Sequence, residues 1–224
     1  VSHPTYDDYW RDFSPVEDHY PEIDVPAYSM AGWFDVFLQG SLNNFMGMTE
    51  QGKTEAARRA QKIVVGPWIH GLGALGTESK TGDIDFGSAS LFDLREQETR
   101  WFDYWLKGID NGLDREPPVK VFVMGRNEWR YENEYPPARA QYRPLYLHSE
   151  GAANGSNGDG RLSWTPPTDG AETDHYRYDP RDPVPSLGGA NCCGVATSSG
   201  VRDQRPIEQR SAVLKRAEEI GLTR

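Results

Sequence analysis

The sequence has 224 residues, of which 37% are hydrophobic and 26% are charged, a balance typical of globular proteins and not of disordered chains. The formal net charge of -10 argues against a nucleic-acid partner, because binding to phosphates requires clustered lysine and arginine. No apolar stretch is long enough to predict a membrane-spanning helix, and the length suits one large domain or two small ones.

The first half of the sequence predicts alternating strands and helices. Residues 23–32 and 62–66 are mainly apolar runs, as expected of buried strands in a parallel sheet. Apolar residues recur at helical spacing over residues 38–46 and again over residues 91–107, where Gly108 supplies a cap for the second helix. This order of elements is typical of an α/β fold.

The second half of the sequence has a different pattern of apolar residues and turn-forming residues. Residues 119–125, 144–148 and 175–178 are β-rich runs separated by Gly, Asn and Pro, a pattern that predicts an antiparallel sandwich. Residues 151–160 are rich in glycine and lie between two of these runs. We interpret them as a surface loop and not as a phosphate-binding loop, because neither a helix start nor a lysine follows.

An aspartate and a histidine each follow one of the two apolar runs. Asp35 ends the stretch Ala-Gly-Trp-Phe-Asp, and His70 ends Val-Val-Gly-Pro-Trp-Ile-His. If the two strands are parallel neighbours, both side chains lie at the carboxyl edge of the sheet, where reacting groups gather in open α/β folds. An aspartate that accepts the Nδ1 proton of an imidazole leaves Nε2 to take a proton from a nucleophile. In the structural alternative, the acid caps the next helix and the histidine is an ordinary loop residue.

Five blocks of sequence carry a resemblance to a known family. They are VPAYSMAGWFDVFLQGSLNNF, IVVGPWIHG, WFDYWLKGIDNG, PPVKVFVMGRNEWR and DQRPIEQRSAVL. Their order resembles that of the cocaine esterase-like hydrolases, also called the X-Pro dipeptidyl-peptidase (S15) class of serine hydrolases. The resemblance runs from about residue 6 to residue 214, which is nearly the whole chain.

This resemblance implies an α/β-hydrolase domain with a helical cap, followed by a β jelly-roll domain. Residues 1–116 would hold the C-terminal part of the α/β-hydrolase domain, and residues 117–224 part of the jelly roll. Residues 215–222 depart from the family, because they are helix-like where the family continues with a strand. The implied activity is cleavage of esters or amides through an acyl-enzyme, with Asp35 as the triad acid and His70 as the base.

The nucleophile that the family uses is not recognisable in the sequence. It lies on a Gly-x-Ser-x-Gly turn well before the acid, and these residues contain no such turn. Ser29, in Ala-Tyr-Ser-Met-Ala, lacks the glycines of a strained elbow and is interpreted as a strand residue. We therefore expect the chain to be the C-terminal portion of a hydrolase. An upstream half, or a second copy of the chain, would cover the open edge of its sheet.

Several further residues are candidates for substrate contacts. Trp33, Phe37 and Trp68 flank the acid and the base and would line an acyl pocket, with packing in the core as the alternative. Asp83 and Asp85 are interpreted as residues of a solvated loop, with binding of a substrate ammonium as the alternative.

Neither a metal nor a cofactor is expected. The other four histidines have no partner at metal-ligand spacing; they are His3, His19, His148 and His175. Cys192 and Cys193 are adjacent in sequence, and two unpaired thiols in a loop are favoured over a vicinal disulfide or a metal pair.

The sequence as a whole predicts a serine hydrolase that acts on a small ester, amide or short peptide. Nucleic acid and membrane are not expected as partners. The alternative is a non-catalytic binding module built on the jelly roll, with the α/β region as its support.

Overall fold

The computed structural model describes residues 2–13, 16–71, 76–154, 158–168, 170, 172–181, 187–190 and 199–203. Its backbone contacts divide the chain into two units, one comprising residues 1–138 and 186–224 and the other residues 139–185. Cys192, Cys193 and the helix-like residues 215–222 lie outside the described residues.

A mixed four-stranded sheet forms the centre of the first unit. Its strands are β1 (Ala27–Phe34), β2 (Gln61–Ile69), β5 (Val119–Val123) and β6 (Glu128–Glu132), and they lie side by side in that order. The first three are parallel, and β6 returns antiparallel to β5. A short hairpin lies between β2 and β5 in the chain and consists of β3 (Lys80–Thr81) and β4 (Ile84–Asp85).

Five α-helices accompany this sheet in the described part of the chain. They are α1 (Asp8–Phe13), α2 (Val16–His19), α3 (Leu38–Gln51), α4 (Glu55–Arg59) and α5 (Leu94–Lys107). Single turns of 3₁₀-helix occur at Tyr20–Glu22, Ser88–Ser90 and Leu113–Arg115. None of the helices in the described ranges combines the length and apolar character needed to cross a membrane.

The core lies on both faces of the sheet, as the continuous apolar runs predict. On one face, Ile63 and Val65 of β2 pack with Leu42 and Phe45 of α3. On the other face, Val64 packs in a separate cluster that includes Trp68 and Phe92. Alternate residues of β2 thus enter opposite clusters, which follows from the two-residue period of a strand.

The second long helix, α5, begins at Leu94 and ends at Lys107, the end that the sequence predicts. The N-cap of α5 is Asp93, whose carboxylate accepts a hydrogen bond from the Glu96 N–H. Its C-cap is Gly108, with φ at 68°, the left-handed conformation that glycine adopts at low cost. The helix predicted after Asp35 is confirmed as α3, and both strands predicted to flank it are confirmed as β1 and β2.

One strand belongs to a different sheet from the one the sequence predicts. Residues 119–125 were expected in the antiparallel region, but β5 pairs in parallel with β2 and extends the sheet of the first unit. The alternating Val-Lys-Val-Phe-Val pattern is compatible with either partner, because local periodicity does not specify which strand lies alongside.

The second unit contains one two-stranded antiparallel pair in its described residues. Strand β7 (Tyr146–His148) pairs with β8 (Arg161–Ser163), and the described part of the glycine-rich stretch 151–160 lies between them. Residues 175–178 were predicted as a strand and form none. All four of their side chains are exposed, so no buried face stabilises an extended pairing there.

Candidate active site

The register between β1 and β2 determines which residues meet at the carboxyl edge of the sheet. Gly32 pairs with Gly66, but Phe34 pairs with Ile69, so β2 holds one residue more than β1 between these two pairs. Such a β-bulge shifts every later residue of the bulged strand by one position. The acid and the imidazole predicted from the sequence therefore each directly follow the Phe34–Ile69 pair.

Asp35 and His70 form a hydrogen bond at this edge. The Nδ1 atom of His70 and the Oδ1 atom of Asp35 are 3.1 Å apart, and the side chains are 35% and 10% exposed, respectively. The same carboxylate oxygen accepts the backbone N–H of Phe37 at 2.8 Å. Because an ionised carboxylate only accepts, this contact places the ring proton on Nδ1.

The glycines of both sequence stretches allow the two strands to approach each other here. A Cβ atom on Gly32 would overlap the backbone carbonyl of Trp68. A Cβ atom on Gly66 would overlap the indole ring of the same tryptophan. The glycines in Ala-Gly-Trp-Phe-Asp and Val-Val-Gly-Pro-Trp-Ile-His are thus packing requirements of the bulge, which their position in sequence alone did not reveal.

The three aromatic candidates occupy different environments. The ring of Phe37 lies edge-on to the His70 imidazole, with 4.9 Å between ring centroids, and 55% of the residue is exposed. Trp33 is half-buried, and its Nε1 donates to the carbonyl of Phe122 at 2.8 Å. Trp68 is only 2% exposed and belongs to the core cluster of β2. Of the three, Phe37 lies beside the imidazole, and the contacts of both tryptophans fit the core alternative.

Comparison with known proteins gives the family. Residues 1–72 match the X-Pro dipeptidyl-peptidase (S15 family), and residues 111–215 match the X-Pro dipeptidyl-peptidase C-terminal non-catalytic domain. Cocaine esterase from Rhodococcus sp. (strain MB1 Bresler) is 37% identical over 98% of this chain. The chain belongs to the family of cocaine esterase and the S15 X-Pro dipeptidyl-peptidases.

This S15-family chain spans 36% of the length of cocaine esterase. A provisionally named serine esterase from Mycobacterium bovis is 28% identical over 63% of this chain and 19% of its own length. Among solved structures, an aminopeptidase from a marine sediment archaeon (Thaumarchaeota archaeon) aligns with a TM-score of 0.54 and 26% identity, covering 67% of this chain and 24% of that one. These relatives are hydrolases by name, and two of them are named esterases.

The two aspartates after the histidine have partners within the chain. The carboxylate of Asp83 accepts the backbone N–H of Asp203 and a guanidinium N–H of Arg202, and these bonds hold the pKa of Asp83 below its usual value. The Asp85 carboxylate accepts the N–H of Gly87, which likewise lowers its pKa. Both aspartates are exposed, as expected of residues in a solvated loop.

The remaining candidates from the sequence occupy structural positions. Ser29 lies within β1 and pairs in register with Ile63, in agreement with its interpretation as a strand residue. The ring of His3 contacts Asp7 at 2.8 Å, and that of His148 contacts the carbonyl of Thr165 at 2.9 Å. Within the described ranges, no group of three or more His, Cys, Asp or Glu side chains has the geometry of a metal site.

Proposed function

We propose that the protein is a serine hydrolase that cleaves acyl esters or amides, and that Asp35 and His70 are the acid and the base of its catalytic triad. The observation that supports this proposal most directly is the hydrogen bond of 3.1 Å between the carboxylate and Nδ1 of the imidazole. Its position after two parallel strands is where open α/β folds assemble reacting groups.

The chemistry follows from the protonation state that the hydrogen bond imposes. With its proton on Nδ1, His70 presents an unprotonated Nε2, which takes the hydroxyl proton of a serine as the serine oxygen attacks the substrate carbonyl. The resulting imidazolium is stabilised by the Asp35 carboxylate. His70 then gives this proton to the leaving alcohol or amine, and the acyl-enzyme forms. A water molecule, deprotonated by Nε2 in the same way, releases the acid.

The serine in this proposal comes from outside these 224 residues, on a Gly-x-Ser-x-Gly turn. Strand β1 pairs only with β2 in the described part of the chain, so its other edge has free backbone N–H and C=O groups. An upstream segment that carries the nucleophile, or a second copy of the chain, would pair with that edge. In the same proposal, residues 1–116 belong to the hydrolase domain, β5 and β6 extend its sheet, and the part of a jelly roll expected within residues 117–224 begins after them.

The substrate class is assigned from the site and from the relatives. Phe37 offers an exposed aromatic face beside the imidazole, where it would contact the acyl group of a bound ester, amide or short peptide. The names of the relatives include both esterases and an aminopeptidase, so we place both bond types in the proposal. Trp33 and Trp68 would act behind the aromatic face of Phe37, by fixing the strands that carry the acid and the base.

The test uses the full-length protein and its Asp35→Asn variant. An asparagine at this position favours the wrong tautomer of the imidazole, so ester turnover is expected to fall by roughly three to four orders of magnitude while the fold persists. Asp12→Asn, on the exposed face of α1, is the matched control and should leave turnover unchanged. A fluorophosphonate probe should label a serine of the wild type. Normal turnover in Asp35→Asn would refute the assignment, and absence of labelling would favour a non-catalytic binding module.

A further inference from the structure

Two adjoining cavities lie at the opposite end of β2 from His70. Lys62, the second residue of the strand, lines both of them, whereas His70 follows the last residue. A strand rises about 3.3 Å per residue, so the cavities and the imidazole are separated by roughly 25 Å. The cavities therefore form no part of the site proposed above.

The larger cavity has aromatic walls and a volume of about 360 Å³. Trp101, Tyr104 and Trp105 of α5 line one side, and Leu113 and Pro118 line another. This volume falls within the range of small-molecule sites, about 300–1,000 Å³. A flat apolar ligand would replace water against the indole rings.

The smaller cavity, of about 160 Å³, is polar and positively charged. Among the described residues, its walls include the basic side chains of Lys62, Arg100 and Lys120 and one carboxylate, that of Glu116. Arg100 donates to this carboxylate, and the Lys62 ammonium lies 3.8 Å from it. Three cations thus surround one anion, and the local excess of positive charge attracts an anionic group.

Lys120 is the cation of this group that no carboxylate holds in the described part of the chain. Its ammonium lies over three aromatic rings, at 5.2 Å from the centroid of Phe92, 4.8 Å from Trp129 and 5.4 Å from Tyr131. Cation–π contacts fix the position of an ammonium without neutralising its charge. The ammonium remains available to an anionic ligand.

The two cavities adjoin each other and share part of their walls. Lys62, Glu116 and Pro118 line both, and the ring of Tyr28 in the polar cavity lies 5.4 Å from the ring of Trp101 in the aromatic one. Among the described residues, the aromatic cavity has one carboxylate besides Glu116, that of Asp114, whose Oδ1 lies 3.6 Å from a guanidinium nitrogen of Arg115. A ligand that enters between them meets indole rings at one end and ammonium groups at the other.

We propose that these cavities form one binding site for a small organic anion with an aromatic body. Its carboxylate lies among Lys62, Arg100 and Lys120, and its ring system packs against Trp101 and Trp105. Charge-assisted hydrogen bonds from a lysine or arginine to a carboxylate are about twice as strong as neutral ones, so the anionic head dominates recognition. The aromatic body sets the size of ligand that is accepted.

The test is isothermal titration of the full-length protein with 2-naphthoate. A fluorophosphonate first blocks any catalytic serine, so that binding at the hydrolase site does not contribute. The neutral analogue 2-naphthalenemethanol is titrated in parallel and has the same ring system. Naphthoate is expected to bind with a Kd below about 1 mM, and the alcohol at least about tenfold more weakly.

Substitutions test each half of the proposed site. Lys120→Met keeps the aliphatic stem on the aromatic rings and removes the charge, and it should weaken naphthoate binding about tenfold with little effect on the alcohol. Trp105→Ala should weaken both ligands. Lys53→Met, an exposed lysine elsewhere on the unit, is the control and should change neither. Equal affinity for the two ligands, no binding to the wild type, or unchanged binding in Lys120→Met would each overturn the proposal.

Discussion

Gly32 of β1 packs directly against the backbone carbonyl of Trp68 in β2, at the point where the register between the two strands changes. An alanine at position 32 would have to displace this carbonyl and, with it, the segment that leads to His70. We expect Gly32→Ala to lower the free energy of unfolding by about 1–3 kcal/mol, the usual cost of overpacking a buried contact. Hydrolytic turnover should fall as well, because the distance between Asp35 and His70 depends on this register.

The control for this substitution is Gly40→Ala in α3. Gly40 is exposed within the helix, and a Cβ atom there would meet nothing within 4 Å. Because alanine is the better helix former, Gly40→Ala should raise stability by about 0.5–1 kcal/mol. Thermal unfolding of the two variants measures the difference. Equal midpoints for Gly32→Ala and the wild type would show that the strands do not require this close approach.

The edge-on contact between Phe37 and His70 leads to a second prediction. Aromatic pairs of this geometry contribute about 0.5–1.5 kcal/mol beyond the area they bury, so Phe37→Ala should lower kcat/KM by about threefold to tenfold. The backbone N–H that supports the Asp35 carboxylate persists in this variant, which limits the loss. Leu106→Ala, at an exposed position of α5, should leave the steady-state kinetics unchanged. If Phe37→Ala left kcat and KM unaltered, this side chain would have no role in the site.

The sequence predicts those parts of the structure that are determined by interactions between residues near one another in the chain. The apolar runs that became β1 and β2 were readable because a strand buried on both faces has no polar alternation. The contact of Asp35 with His70 was predictable from the assumption that these strands are parallel neighbours, and the structure shows that contact. Their catalytic role is the proposal made above.

The features that the sequence did not predict depend on distant partners. The bulge in β2 follows from the backbone approach of Gly32 to Trp68, which no local pattern encodes. The parallel pairing of β5 with β2 likewise results from tertiary packing of a strand whose alternation fits two kinds of sheet. Residues 175–178 have β propensity but form no strand, because they have no buried face that would stabilise an extended pairing.

Tyr28 predicts a specific dependence of stability on alkaline pH. Burial raises the pKa of its phenol above the usual value of 10.0, and the nearby Glu116 carboxylate adds to this effect. The folded state therefore keeps Tyr28 neutral while the unfolded chain ionises, so its contribution to stability is complete below pH 10 and is lost as pH rises toward the folded pKa. The loss is at most about 1.4 kcal/mol per pH unit.

Tyr28→Phe removes this ionisation from both states. Between pH 10 and 11.5, the wild type should lose thermal stability more steeply than Tyr28→Phe, whereas the two should run parallel between pH 7 and 9. Tyr176→Phe, at an exposed tyrosine, serves as the control and should follow the wild type throughout. Parallel curves for Tyr28→Phe and the wild type above pH 10 would contradict burial of this phenol.

The N-cap of α5 connects helix stability to the proposed anion site. Asp93 accepts the N–H of Glu96 at 2.9 Å, and the helix that begins there carries Arg100, Trp101 and Trp105 to the two cavities. Replacing such a cap by alanine costs about 0.5–2 kcal/mol, so Asp93→Ala should lower the free energy of unfolding by that amount. Asp93→Ser, whose hydroxyl accepts the same bond, should recover most of it. Denaturant unfolding measures both, and equal stability of the alanine and serine variants would show that this hydrogen bond does not hold the start of the helix.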